Sequence, residues 1–183
     1  MRILLMADTH IPDRAFEVPA LLRSRLEDDA STSDVVVHAG DLTSEDILEW
    51  VKELSRTVYV VTGNMDYLPL PSHAIFEAHG VRVGVVHGHQ VYPRGDIPKL
   101  TAVARRLGVR ILVSAHTHSA FLESWQGVVH LNPGSLTGVW GGGGGSMIPS
   151  YMVADLEEGS LLVVKLCKLV NDRLGCQTKS VQL

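Results

Sequence analysis

The stretch Ser114-Ala115-His116-Thr117-His118 places two imidazoles one residue apart, directly after an apolar run from Val109 to Val113. That run reads as a strand. Alternate residues leaving a strand project to the same side, so both rings are expected to meet one object. Imidazole nitrogen is a good ligand for zinc, manganese or iron, although His-x-His alone is a weak metal signal. Four other strand ends carry ligand-type residues: Asp8 with His10, then Asp41, then Asn64, then His87. In open α/β sheets, ligands bind beyond the carboxyl ends of the strands. The seven donors on one sheet edge are too many for a single tetrahedral ion and suit two divalent ions, manganese or zinc, with one bridging carboxylate. Asp41 is the expected bridge, because it leaves a central strand and follows Gly40, where the backbone can approach closely. Two ions about 3.5–4 Å apart activate a hydroxide and clamp the oxygens of a phosphoryl group.

Taken singly, an Asp after a strand is usually a turn or cap residue, and a lone His usually makes a structural hydrogen bond. The agreement of five strand ends carries the metal reading. Gly40, Gly63 and Gly88 fit tight turns that aim these side chains. His38, His73, His79 and His130 lie off the strand ends and receive no role, whereas His89 sits beside the site and could touch a ligand.

The elements that would position these groups follow from periodicity. Ile3 to Ala7, Val35 to Ala39, Val58 to Val61, Val81 to Val86 and Val109 to Val113 read as buried strands, with an extra strand near Ala74 to Ala78. Helices are expected at Val18 to Leu26, with Pro19 in the first turn, at Glu45 to Leu54 and at Ile97 to Leu107. Ile47, Trp50, Val51 and Leu54 share one helical face, and Gly108 ends the third helix. The first two-thirds thus alternates strand and helix, as in a parallel sheet covered by helices. Gly127 to Leu131, Tyr151 to Leu156, Leu161 to Leu169 and Arg173 to Val181 suggest antiparallel strands forming a second sheet packed on the first. The Gly141 to Gly145 run offers no packing surface and reads as a mobile surface loop; no Gly-Lys-Ser/Thr follows it, which argues against a phosphate cradle.

The 183 residues suit one domain, 1–183, and the balance of 45% apolar and 20% charged residues is globular. A net charge of -4 without a Lys/Arg block argues against nucleic-acid binding. The apolar N-terminal run is too short for a signal peptide, and no stretch approaches the roughly 20 apolar residues of a membrane span. Cys167 and Cys176 stand in no metal or redox spacing, so reduced thiols in an intracellular protein are expected.

Asp8-Thr9-His10, Gly40-Asp41, Gly63-Asn64, His87-Gly88-His89 and His116-Thr117-His118 together resemble the calcineurin-like metallophosphoesterase superfamily. The resemblance implies a four-layer αββα sandwich, two packed mixed sheets flanked by helices. It also implies one ion held by Asp8, His10, Asp41 and His118 and another by Asp41, Asn64, His87 and His116. A narrower resemblance, nearly chain-long, rests on residues 87–96 (HGHQVYPRGD), Asn132-Pro133-Gly134-Ser135 and Ile148-Pro149-Ser150. These look like the small-subunit family of retromer, vacuolar protein sorting-associated protein 29. That family implies a cytoplasmic scaffold, peripheral on endosomal membranes, whose metal-site face docks into a large α-solenoid subunit, vacuolar protein sorting-associated protein 35. It also implies an apolar surface that recruits regulators of endosomal GTPases, although here Arg2 replaces an apolar residue of that surface.

Two departures pull in different directions. Strong phosphatases of the superfamily have His where this chain has Met65, and a thioether cannot supply the general-acid help worth about 10²–10⁴-fold. Animal retromer subunits tend to carry Asn and then Asp where this chain has Asp41 and Asn64, so the full phosphoesterase ligand set is retained here. Two functions therefore compete. As a scaffold, the protein would present Val91 and Tyr92 as an exposed apolar contact beside His87 and His89. As an enzyme, it would hydrolyse a small phosphodiester with manganese or zinc, although the nearest phosphate-gripping cation is Arg94. The scaffold is the expected function, resting mainly on the resemblance, and the enzyme is the alternative, which the residues alone would favour.

Overall fold

The computed structural model describes residues 1–158 and 161–183. In chain order its elements are β1 (Arg2–Met6), α1 (Ala20–Ala30), β2 (Val35–His38), α2 (Glu45–Glu53), β3 (Val58–Val60), β4 (His73–Ala78), β5 (Val81–Val86), α3 (Ile97–Leu107), β6 (Ile111–Val113), β7 (Phe121–Trp125), β8 (Val128–Asn132), β9 (Ser150–Leu156), β10 (Leu161–Val170) and β11 (Arg173–Gln182). Two sheets form, ordered β11-β10-β9-β1-β2-β3 and β4-β5-β6-β8-β7. Both are mixed: β1, β2 and β3 run parallel while β9 and β1 are antiparallel, and β5, β6 and β8 run parallel between antiparallel β4 and β7.

The continuous apolar run of β1 is explained by burial on both faces. Ile3 and Leu5 face the second sheet and pack in one core with Val83, Val85, Ile111, Val113 and Met152. Leu4 and Met6 face the opposite way, into a core with Leu22 and Leu26 of α1 and Val51 of α2. On the far side, α3 covers the second sheet through Leu100, Val103 and Ala104 against Val86 and Leu112. The layers are helix, sheet, sheet, helix, as expected.

The partition of strands differs from the expectation. The C-terminal antiparallel strands do not build a sheet of their own: β9, β10 and β11 extend the first sheet, while β4 through β8 make the second. Strand β7 was not anticipated, because Phe-Leu-Glu-Ser-Trp is an exposed or half-buried edge without clear alternation. Helix α1 starts later than expected, with Pro19 just before its first turn, and runs on to Ala30. Helix α2 is capped by Ser44, which accepts from the Ile47 N–H. Helix α3 is capped by Asp96, which accepts from Lys99, and ends at left-handed Gly108.

The expectation of free thiols is corrected. Cys167 and Cys176 are joined in a disulfide. The turn between β10 and β11 is two residues long, Asn171 and Asp172, both with positive φ (49° and 58°), the geometry that closes a tight hairpin. That turn pairs Val170 with Arg173, and counting back along the ladder sets Cys167 directly opposite Cys176.

Asp29, buried at the end of α1, ties this first sheet to its helix. Lys165 Nζ donates to both of its oxygens (2.7 and 2.8 Å), Tyr151 Oη donates at 2.7 Å and Arg2 Nη2 at 3.3 Å. Arg2 also lies 3.9 Å from Asp155. The surface at the N-terminal strand is therefore charged and internally paired at this position.

Candidate metal centre

The donors stand at the C-terminal ends of strands from both sheets, rather than along one sheet edge. β1 delivers Asp8 and His10, β2 delivers Asp41, and the loop after β3 delivers Asn64. From the second sheet β5 delivers His87, and the loop after β6 delivers His116 and His118. Simple alternation does not aim them. Asp8, His10, Asp41, His116 and His118 all have φ between 50° and 68°, a left-handed backbone that non-glycine residues rarely adopt. Each such residue costs of order 1–3 kcal/mol and persists only where surrounding contacts enforce it.

Those contacts are visible. The Asp8 N–H donates to Gly40 O (3.0 Å) and the His10 N–H to Asp41 O (3.0 Å), locking the two β1 donors to the β2 turn. The Ala115 N–H donates to His87 O (2.8 Å), and the His116 N–H to Asp8 Oδ2 (3.1 Å). Asp66, which the sequence reading did not single out, accepts from Asp41 N, Gly63 N (both 2.8 Å) and Thr43 N (2.9 Å). It binds the Asp41 turn to the Asn64 turn. Its signal in the sequence is an Asp three residues beyond Gly63, an Asx-type turn. Gly63 itself leaves no room for a side chain, since a Cβ would lie 2.0 Å from Asp41 Oδ1. His38, given no role from sequence, accepts from Gly40 N (3.2 Å) and pairs with Thr9 Oγ1 (2.8 Å), supporting the same turns.

The side chains fall into two groups, Asp8 with His10 and His118, and Asp41 with His87 and His116. The two histidines of the His-x-His pair thus serve different groups instead of one object. The His118 Nδ1–H donates to Val139 O and the His87 Nδ1–H to Ala39 O, each at 2.8 Å. In the neutral rings this leaves an unprotonated Nε2 aimed inward, the arrangement of a metal-ligating His. His118 Nε2 lies 3.2 Å from His10 Nε2 and 3.6 Å from Asp8 Oδ1. Asp8 Oδ1 is buried without a hydrogen-bond partner. Asp41 Oδ1 accepts from the Met65 N–H, while Oδ2 stands 3.4 Å from His10 Nε2 and 3.3 Å from His87 Nε2, between the groups. Asn64 Oδ1 reaches His87 Nε2 at 3.2 Å.

The electrostatics differ from residue to residue. Burial pushes Asp8 up to about 7, and lowers His10 and His116 to about 4, so the histidines are neutral near pH 7. Burial would lower His87 too, but its hydrogen bond to Asp41 and the charges of Asp8 and Asp41 carry it to about 8. The neutral His10 and the unpartnered Asp8 Oδ1 fit a divalent cation directly, whereas His87 carries a proton near pH 7 that a cation at the Asp41 group would have to displace.

A family model described as the calcineurin-like phosphoesterase superfamily domain matches residues 1–159. The chain belongs to the calcineurin-like phosphoesterase superfamily. Among relatives of this phosphoesterase-fold chain, a probable metallophosphoesterase of Methanocaldococcus jannaschii is 44% identical over 137 residues, covering 75% of this chain and 69% of the relative. One from Methanothermobacter thermautotrophicus is 43% identical over 140 residues, covering 75% and 78%. Among solved structures, a doubly substituted Vps29 of Entamoeba histolytica superposes with a TM-score of 0.91 at 29% identity over 99% of each chain. Wild-type Vps29 of that organism, complexed with zinc, gives 0.89 at 29% identity over 98% of this chain and 99% of that one.

Around the candidate metal centre two expectations change. Val91 is only 5% exposed and packs with Val86 and Leu100, so it is no surface contact; the Val91 N–H turns back onto Gly88 O and points the side chain into the core beneath α3. Tyr92 is 82% exposed, as the docking reading needs. The glycine run, expected as a free surface loop, folds back over the site. Arg94 Nη1 donates to Gly141 O (2.6 Å), and the Ser146 N–H donates to His118 O (3.0 Å). A Cβ on Gly141 would stand 2.8 Å from His118 Cδ2. Gly141→Ala should therefore displace the His118 ring and weaken metal binding at the Asp8 group by about tenfold or more. Titration of the metal-free protein with manganese checks this, and unchanged affinity at both sites would refute the contact's importance.

Proposed function

We propose that the protein is a manganese- or zinc-dependent phosphodiesterase. The observation that carries this reading is the shared Asp41 Oδ2, within 3.4 Å of a histidine nitrogen from each group. Asp8, His10, Asp41 and His118 would hold one ion, and Asp41, Asn64, His87 and His116 the other. When bound, such a pair supplies a hydroxide nucleophile and neutralises charge on a phosphoryl group. The protein's own part is to hold these seven ligands rigidly, with Asp66 and His38 fixing the turns beneath them. Met65 has no proton to give a leaving oxygen. His89 stands at the mouth, its ring centre 5.5 Å from that of His87 and 6.3 Å from that of His116, and is the nearby group able to carry one. Diesters of acidic alcohols, whose leaving groups need little protonation, suit a centre built this way. The relatives named probable metallophosphoesterases support the same class.

The test is hydrolysis of bis(p-nitrophenyl) phosphate by protein stripped with chelator. Turnover should be absent in the stripped protein and return with manganese or zinc. Equal rates in the stripped and reloaded protein would overturn the reading.

A second reading, a retromer scaffold on endosomal membranes, is favoured by the exposed Tyr92 beside the site and by the likeness to Vps29 structures. Its partner would be the α-solenoid vacuolar protein sorting-associated protein 35, with regulators of endosomal GTPases at a second surface. In extract from the source organism, an α-solenoid protein should then co-purify with wild type and be lost with Tyr92→Asp. Retention of that partner by the variant would remove Tyr92 from the interface.

A further inference from the structure

Beside the Asp8 group lies an open depression of about 580 Å³ lined by Arg14, Gly138, Val139, Trp140 and Met147. Its wall begins one hydrogen bond from the metal centre, because Val139 O is the acceptor for His118 Nδ1–H. Trp140 and Met147 are large apolar side chains, yet each is 58% exposed. The loop that presents Trp140 is gripped by an arginine at each of two successive carbonyls: Arg14 Nη1 donates to Trp140 O (2.9 Å) and Arg94 Nη1 to Gly141 O (2.6 Å). Arg14 follows His10 by one turn, its backbone N–H donating to His10 O (2.8 Å). An indole, a thioether and a guanidinium around one concavity share a single preference. Each interacts favourably with a planar π system, by stacking, by sulfur contact and by cation–π attraction respectively.

We infer that this depression is the subsite for the non-leaving arm of the substrate, and that the arm is a planar aromatic group, as in an aryl or nucleoside phosphodiester. The inference rests on the phosphodiesterase reading and deepens it. With the phosphoryl group at the two metal groups, the aromatic arm lies over Trp140, with Arg14 on the same lining.

Two substrates with the same leaving group isolate the arm: bis(p-nitrophenyl) phosphate and methyl p-nitrophenyl phosphate. Intrinsic reactivity cancels when the ratio of their kcat/KM values is compared between wild type and variant. Trp140→Ala should lower that ratio about tenfold, in line with the worth of one aromatic stack. Trp140→Phe should restore most of it, and the melting temperature should not move. A ratio unchanged by Trp140→Ala overturns the subsite. If no metal supports turnover, the phosphodiesterase reading fails, and binding of diphenyl phosphate to the manganese-loaded protein then decides the subsite separately. Tighter binding to wild type than to Trp140→Ala, with no such difference for dimethyl phosphate, upholds it. Equal binding to both proteins overturns it.

Discussion

Asp41→Asn is expected to abolish diester hydrolysis and to lower metal content at both sites while the chain stays folded. The substitution preserves shape. An Asn oxygen can still accept from the Met65 N–H, now held by Asp41 Oδ1 at 2.8 Å, so the turn keeps its support. What disappears is the negative charge at Oδ2 between His10 and His87. An amide nitrogen there would point hydrogens at lone pairs that need a cation. Losing the bridge removes several kcal/mol of charge stabilisation in the transition state, which is about 10³-fold or more in rate. Rate assays, elemental analysis and circular dichroism together check the outcome. Full activity in Asp41→Asn would exclude two-metal chemistry.

The largest effect on stability is expected at Asp29, far from the chemistry. Asp29→Ala leaves Lys165 Nζ and the buried Tyr151 hydroxyl without their acceptor, and removes one of the carboxylate partners of Arg2. Breaking one side of a buried ion pair typically costs 3–5 kcal/mol, far more than the pair's net worth. The urea midpoint of Asp29→Ala should fall accordingly, and Lys165→Met in that background should recover part of the loss. A change below about 1 kcal/mol would show the cluster to be surface-like. The cluster also has a pH signature. Burial alone would raise Asp29, but hydrogen bonds from Lys165 and Tyr151 and the Lys165 charge hold it below the ordinary 3.8. The folded chain therefore binds fewer protons here than the unfolded chain. This contribution is present at neutral pH and is lost as the solution is acidified through that range.

The donors that converge in the structure were legible in the chain because each stands just past an apolar strand, and burial on both faces makes those strands conspicuous. The assignment of strands to sheets could not, since β9 and β1 pair across some 150 residues and no local pattern records it. Alternation misled for His116 and His118, whose left-handed backbone sends one ring to each metal group. Val91 misled for a similar reason: beside a polar mouth an apolar residue reads as exposed, whereas a tight turn tucks it beneath α3. The disulfide was legible in principle, since Asn171-Asp172 is a two-residue hairpin turn and its register pairs the cysteines. The glycine run lacked side chains to interpret; at Gly141 and Gly145 the nearness of His118 leaves no room for a Cβ, while Gly142 to Gly144 have the space.

Each metal group draws ligands from both layers: Asp8 and His10 from the first sheet against His118 from the second, Asp41 and Asn64 against His87 and His116. A bound ion would thus be a rivet through the sandwich, reinforcing at one rim two sheets already joined there by hydrogen bonds such as His116 N–H to Asp8 Oδ2 and His87 Nδ1–H to Ala39 O. Folding and metal loading become linked equilibria, so the melting temperature should climb with free metal concentration. Sliding of one sheet across the other would in turn pull apart the donors within each group.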